Sequence, residues 1–355
     1  MALESVKVER FRCLDRIEFC PDASLNLIFG ENGAGKTSVL EALFYLGRGR
    51  SFRSSQVSSL IQTDADDFTV FGKIQDGGKR YRLGVQVGRG SSDVHINGQG
   101  GGHTADLVEA FPVQIIDPEV HLLVQGAPKG RRQFVDWGVF HVKHDFLAAW
   151  RRYRRALRQR NMALRQGLER ATIDIWDREL IESGLRVDEL RRGYLGGFEP
   201  VFSRISEQLL GAQAICRYFT GWPMEETFSA ALTDSWDRDR KHGVTHVGPH
   251  RAELGLEVDD RPARHRLSRG QQKLLGTALV LAQCEFVASS LGRTVALLVD
   301  EPAAELDSGN LEQLIEALVK PGVQLFLTAL KSDALPLNSK PTLFHVKHGE
   351  LSTLL

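Results

Sequence analysis

The sequence carries almost no charge imbalance, few sulfur residues and no hydrophobic run of bilayer length. Its 355 residues hold 45 Lys and Arg against 45 Asp and Glu. That balance excludes a uniformly basic nucleic-acid binder, although a local patch can hide in a zero sum. The four cysteines, at positions 13, 20, 216 and 284, match neither a zinc-ligand pattern nor a dense disulfide framework, so reduced thiols are expected. No stretch approaches the ~20 consecutive apolar residues that span a bilayer. Met1-Ala2-Leu3-Glu4 lacks the basic-then-apolar layout of a signal peptide. A cytoplasmic protein with no membrane partner is therefore expected. What is present is an ordinary globular balance, 42% hydrophobic and 25% charged, on a chain long enough for about two domains.

The residue pattern divides the chain into three parts. Alternation at Val6, Val8, Phe11, Ile17 and Phe19 leads into the apolar run Leu25-Asn26-Leu27-Ile28-Phe29, which reads as edge strands followed by a buried one. Short alternating runs continue to about Asn97, where Asn97-Gly98 favours a hairpin turn at positive φ. The glycines from Gly98 to Gly102 are accordingly a hairpin tip; no Lys-Ser/Thr pair and no helix follow them. From about His144 to Arg240 the period becomes helical. Phe146, Trp150, Tyr153 and Leu157 fall on one helical face, and no strong buried strand is expected there. The resulting expectation is an α/β head formed by residues 1–142 and 246–355, interrupted by an α-helical lobe at 143–245.

Three local patterns point to nucleotide chemistry. Gly30-Glu31-Asn32-Gly33-Ala34-Gly35-Lys36-Thr37 fits G-x-x-x-x-G-K-[ST] and lies between an apolar strand and a helix, the context that a phosphate loop needs. The glycines allow backbone amides to wrap phosphates, Lys36 reaches the terminal ones, and Thr37 can ligate magnesium. Thr294 to Val299 is an apolar run ending in Asp300-Glu301, as expected of a parallel strand delivering acids to the ligand edge of an α/β sheet. Asp300 is the candidate magnesium partner and Glu301 the candidate for polarising the attacking water. Finally, Leu267-Ser268-Arg269-Gly270-Gln271 reads as a helix capping box from Ser268 to Gln271. The same helix start is also an anion-binding surface.

Phosphate loop, Leu-Ser-x-Gly-Gln signature and acid-ended strand, in this order, resemble an ABC-type ATPase. That resemblance implies a homodimer closing on two ATP molecules, with the signature (Ser268, Gly270, Gln271) contacting the nucleotide of the opposite chain, and with Ala304-Glu305-Leu306-Asp307 crossing the interface. Roughly 230 residues separate Lys36 from Ser268, which argues against a transport subunit, and there is no room for the long coiled coil of larger SMC-like proteins. A transporter motor, or a regulatory head binding protein partners only, are the alternatives.

Further stretches narrow the likeness. Gly30 through Ser38 and on to Ala42, Gly49-Arg50-Ser51-Phe52-Arg53, Asp117-Pro118-Glu119, Gly130 through Trp137, Trp150 through Asn161 and Thr245 through Leu254 resemble the RecF family of bacterial gap-repair ATPases. The resemblance implies a slow, DNA-stimulated ATPase without nuclease activity. It further implies cofactors ATP and Mg2+, cooperation with RecO and RecR in loading the RecA recombinase, and a part in replication and the SOS response. The pattern departs from the family at Asp300-Glu301, where many members carry two aspartates. The strand Val323 to Leu327 ends in Thr328-Ala329, without the switch histidine of transporters, and Gln114 is the candidate for the sensor-loop glutamine.

Six arginines fall between 151 and 160 with no acid among them. At 100° per residue, Arg151, Arg154, Arg155 and Arg158 project away from the aromatic face, forming either a solvated ridge or a phosphate-contacting one. Lys129, Arg131 and Arg132 are further candidates, as is the basic lead-in to the signature, where Arg269 and Lys273 could instead serve the dimer interface. No aromatic cluster resembles a single-strand stacking platform, so sequence-independent binding through phosphates is expected.

Overall fold

The computed structural model describes residues 1–304, 307–319 and 322–354, and the chain divides into two compact units. The first combines Met1–Val120 with Lys273–Leu355, and the second is His121–Gln272. In chain order the strands are β1 (Ala2–Phe11), β2 (Leu14–Phe19), β3 (Leu25–Phe29), β4 (Asp67–Asp76), β5 (Lys79–Gly88), β6 (Ser92–Ile96), β7 (Val113–Ile116), β8 (Ala214–Phe219), β9 (Glu253–Val258), β10 (Arg261–Pro262), β11 (Val295–Val299), β12 (Val323–Ala329), β13 (Thr342–Lys347) and β14 (Glu350–Leu354).

Two sheets build the first unit. One is antiparallel and five-stranded, ordered β2-β1-β4-β5-β6. Its inner face (Val6, Val8, Phe11, Phe68, Val70, Leu83, Val85) is buried in one cluster with Val39, Leu40, Leu43 and Leu46 of the helix Lys36–Arg48. Each such side chain contributes about 1.5–3 kcal/mol on burial. Gly72 of β4 permits the close approach, since a Cβ there would stand 2.6 Å from Leu46 Cδ2. The hairpin expected at Asn97-Gly98 is present, with φ of 54° and 85°; a helix, Thr104–Ala110, does follow the glycines, contrary to expectation, yet they form a hairpin tip, with Ile96 and Gln99 exchanging backbone hydrogen bonds.

The second sheet is ordered β14-β13-β3-β12-β11-β7. Strands β13, β3, β12, β11 and β7 are parallel, with Leu27↔Leu327↔Val299↔Ile116 in register; β14 returns antiparallel. The acid-ended run is fully buried from Val295 to Val299, as a strand covered on both faces requires. The fold is that of an ABC-type ATPase head: a parallel-dominated sheet with a flanking antiparallel sheet.

The second unit contains the long helices Pro128–Val142, Phe146–Arg165 and Arg170–Leu210 with the small sheet β10-β9-β8. Its limits are wider than the expected lobe at 143–245. Two interactions draw the flanks in: Arg131 forms a bidentate pair with Glu253 of β9, at 2.8 Å for each contact, and Asp136 pairs with Arg191 of the long helix. The region does contain one strand, β8, which pairs with β9 from Ala214↔Val258 to Phe219↔Glu253; only Ala214 of it is buried, in keeping with the expectation of no strong buried strand there. Arg217 and Phe219 are solvent-facing, so it lacks the continuous apolar run of a buried strand.

One helix, Arg269–Leu291, is long and apolar enough by composition to cross a membrane, although Gln283 and Glu285 break its apolar run as the sequence reading requires. Leu275, Ala278, Ala282, Cys284 and Val287 are fully buried inside the molecule, so it is a core helix.

Candidate functional site

The carboxyl ends of β3, β12, β11 and β7 deliver the phosphate loop, Thr328, Asp300 and Asp117 to one edge of the parallel sheet. The loop leaves β3 at Gly30 and enters the helix at Lys36. Gly33 sits at φ 78° and Gly30 at φ 156°, where a Cβ would collide with Val346 O at 2.2 Å; only glycine fits both requirements. The backbone N–H groups of Gly33, Gly35, Lys36 and Thr37 find no acceptor among the described residues. They form a ring of donors at a helix N-terminus, the arrangement that binds phosphate. Lys36 is 4% exposed and donates to the carbonyls of Gly30 (2.8 Å) and Glu31 (3.1 Å).

Thr37 Oγ1 lies 3.0 and 3.2 Å from the two oxygens of Asp300, so the two expected magnesium partners are adjacent. Buried Thr328 holds the acid end together: its hydroxyl donates to Asp300 Oδ1 at 2.8 Å and accepts from the Glu301 amide at 2.8 Å. Glu301 itself adopts φ 48°, a left-handed conformation that is unfavourable for a residue with a Cβ and characteristic of functional turns. The carboxylate stays open to solvent and lies 3.8 Å from Lys36 Nζ. These residues fit a magnesium nucleotide: unpaired amides for phosphates, a buried cation, and a hydroxyl–carboxylate pair for the metal. Thr328→Val, nearly isosteric, removes both hydrogen bonds, leaving the Glu301 amide unmatched and Asp300 with Thr37 as its side-chain donor. Turnover is expected to fall roughly tenfold or more with little change in nucleotide affinity, read by single-turnover hydrolysis beside equilibrium titration.

Sequence reasoning missed Asp117. Residue 116 is the last of β7 in register with β11, and the Asp300 amide donates to Ile116 O at 2.9 Å. Asp117 therefore emerges beside Asp300, and burial together with that neighbouring charge pushes its pKa up to about 6. The signal was its place one residue beyond an apolar strand. Gln114, the expected sensor glutamine, is instead buried and donates to Gln283 in the core, because its position within β7 turns it away from the strand end. Of the stretch Ala304 to Asp307, Glu305 and Leu306 lie outside the described residues. Asp307 caps the helix Ser308–Leu318 by accepting from Asn310 N at 2.9 Å.

The second unit holds the other two candidate groups. Ser268 and Gln271 form the expected reciprocal cap, at 3.0 and 3.3 Å, and Gly270 faces open space. Lys273, just beyond, is buried and donates to Ala304 O, so it supports the head's own fold. Of the basic candidates, Arg151, Arg154, Arg155, Arg158 and Lys129 are exposed, and no acid pairs with them among the described residues. Arg154 lies over the Trp150 ring at 5.7 Å. Three arginines leave the expected surface for physical reasons. Arg131 is buried and bonded to Glu253 and to the carbonyls of Leu123, Val124 and Gly126. Arg132 donates to Ala252 O at 2.7 Å, and Arg160 is fully buried between Asp177 and Asp239. His250 donates through Nε2 to Thr245 O at 3.0 Å and accepts from the Tyr153 hydroxyl. Burial lowers its pKa to about 4, so it is a neutral structural group at pH 7.

Fold and site together define an ATPase head of the ABC and SMC type. Residues 2–351 match the family model described as RecF/RecN/SMC N terminal domain. The chain is 40% identical over 358 residues to the DNA replication and repair protein RecF of Shewanella amazonensis, covering 99% of both. It is 39% identical over 357 residues to that of Edwardsiella ictaluri, covering 99% of this chain and 100% of the relative. A solved structure of the recombination mediator protein RecF-ATPrS in the RecFOR pathway superposes with a TM-score of 0.87 at 25% identity, covering 99% of this chain and 98% of that one. An Smc head bound to the C-winged helix domain of ScpA shares the fold, with a TM-score of 0.61 at 16% identity and 100% and 98% coverage. The chain belongs to the RecF family of DNA replication and repair proteins.

Proposed function

We propose that this chain is an ATP-dependent DNA-binding protein of recombinational repair, a slow ATPase that dimerises on ATP and holds DNA near gaps. One observation carries the nucleotide part: four unpaired loop amides, buried Lys36 and the Thr37–Asp300 pair converge at one sheet edge. ATP would lie with its phosphates on the amides of residues 33–37, while Ser38 in the first helical turn and the loop residues Glu31, Asn32 and Ala34 flank it. Lys36 exchanges its two carbonyl acceptors for phosphate oxygens. Thr37 and Asp300 would hold magnesium, which when bound supplies positive charge against the phosphate oxygens. Glu301 orients a water and takes its proton; its backbone turn, fixed by Thr328, aims the carboxylate. Hydrolysis serves release, since the ATP-bound dimer is the state that grips DNA.

Ser268, Gly270 and Gln271 are proposed to contact the γ-phosphate held by the opposite chain, from an exposed helix start with a preformed cap. The exposed arginines at 151, 154, 155 and 158, with Lys129, supply phosphate contacts to single-stranded and duplex DNA. RecR and RecO are the proposed partners in loading recombinase, supported by the RecFOR pathway in which the similar RecF structure is placed.

The test is oligomeric state and DNA affinity with ATP, with ADP and without nucleotide, on gapped against intact duplex. Dimer formation and tight binding are expected with ATP alone. Ser268→Ala should abolish the ATP-dependent dimer while leaving monomer nucleotide binding intact; the lost cap itself costs only about 1 kcal/mol. Replacing Arg151, Arg154 and Arg155 by Gln should reduce the log–log salt slope for duplex binding by about 2.7. A dimer unaffected by the serine change, or an unchanged slope, removes the corresponding assignment.

A further inference from the structure

The outer face of the five-stranded sheet carries a feature that the ATPase chemistry does not use. Lys73 of β4 and Arg82 of β5 stand directly opposite each other in the register, both exposed. Like charges in that position destabilise a sheet, and no acid pairs with either among the described residues. One step along, Phe71 lies opposite Gly84, which in turn lies opposite His95 of β6. Two open hollows share Lys73 and Arg82: one adds Phe71, Gly84, His95 and Gly98, the other Arg80, Tyr81, Asn97 and Glu4. Other polar groups on this face have partners nearby: Lys7 pairs with Glu9 at 2.8 Å, the His95 ring lies 2.9 Å from Asp93, and Arg80 lies 3.7 Å from Glu4.

Gly84 decides the shape. A Cβ at this position would sit 3.7 Å from Phe71 Cδ2 and 3.6 Å from His95 Cβ, in ordinary contact, and its backbone is not in the left-handed region. Nothing in the fold demands glycine here, while a side chain would cover the half-buried Phe71 ring. A glycine inside a strand weakens it and marks a place where something approaches closely.

We propose that this sheet face binds single-stranded nucleic acid, with an unpaired base packed on Phe71 through the gap left by Gly84 and the adjoining backbone phosphate on Lys73 and Arg82. An aromatic floor beside two unneutralised cations matches the repeat of a polynucleotide, flat apolar base next to anion, and it tolerates any sequence. An acidic protein would match the cations but leave the glycine gap without a purpose. The proposal rests on the DNA-binding reading and adds to it a surface that separates unpaired strand from duplex.

The experiment is fluorescence anisotropy of the full chain with dye-labelled oligothymidine and with a blunt duplex over a salt series. Gly84→Thr fills the gap with a residue that favours strands, and Phe71→Leu removes the ring while keeping an apolar floor. Each is expected to weaken oligothymidine binding about tenfold and to leave duplex binding unchanged. Lys73→Gln with Arg82→Gln should lower the single-strand salt slope by about 1.4. Parental affinity and slope in all of these variants would overturn the sheet-face proposal while leaving the DNA reading standing. Absence of oligothymidine and duplex binding by the parent chain would overturn both. Polyglutamate competing through Lys73 and Arg82 with no dependence on Gly84 or Phe71 would overturn it in favour of an acidic protein.

Discussion

Lys36→Arg is expected to retain ATP binding and the ATP-dependent dimer but to lose turnover by about 10²–10³-fold, the effect of displacing one preorganised charge from the reacting phosphate. The reason lies in the space around Nζ. Lys36 is 4% exposed and its ammonium fits between the Gly30 and Glu31 carbonyls, 2.8 and 3.1 Å away. A guanidinium keeps the charge but is wider and planar, so it cannot take up the same point against the terminal phosphate. Mant-ATP titration, sedimentation with ATP, and steady-state phosphate release separate binding, dimerisation and chemistry. Undiminished turnover would show that the loop lysine does not touch the reacting group. A loss of binding in parallel with turnover would place its contribution in the ground state instead.

Arg160→Leu should cost about 3–5 kcal/mol of stability in the second unit, the usual penalty for stripping one partner from a buried ion pair. The guanidinium is fully buried and contacts Asp177 at 2.6 Å, Asp239 at 2.7 Å and Thr245 Oγ1 at 2.8 Å. Asp239 is equally inaccessible and also accepts from the His246 amide, so the substitution strands a carboxylate with no water to replace its cation. Arg155→Leu, five residues earlier on the same helix and exposed, should stay within about 0.5 kcal/mol. Urea unfolding of both variants provides the comparison. Equal midpoints would mean that the pair at Arg160 is worth no more than a surface charge.

These two arginines show where sequence reading succeeds and where it stops. The phosphate loop and the Ser268–Gln271 cap were legible because each is a local pattern whose spacing alone fixes its geometry. The β-hairpin at Asn97-Gly98 was legible for the same reason. The arginine run was legible as a helix face but not as a set of roles: Arg155 and Arg160 read alike until Asp177 and Asp239, far away in sequence, close around one of them. Arg131 is the same case, claimed by Glu253 across more than a hundred residues. The division into units failed at its edges because the pairs Arg131–Glu253 and Asp136–Arg191 and the partner of β8 are all non-local. Gln114 and Asp117 differ by three positions, enough in a strand to exchange a core-facing side chain for one at the strand end. Only the β7–β11 register decides which is which.

The strand that carries the phosphate loop has a consequence for how the molecule is made. β3 is flanked by β12 and β13, so neither neighbour exists until residues 323–347 have been synthesised, almost 300 positions later. Contacts of such sequence separation slow folding, and a nascent chain exposes an apolar strand followed by a glycine loop for most of its translation. ATP cannot organise that loop early, because Asp300 and Thr328 arrive with the same late segment. Birth of the nucleotide site and closure of the sheet are therefore a single late event. Truncations before β13 should yield no partially active head, only chains with β3 unpaired on at least one side.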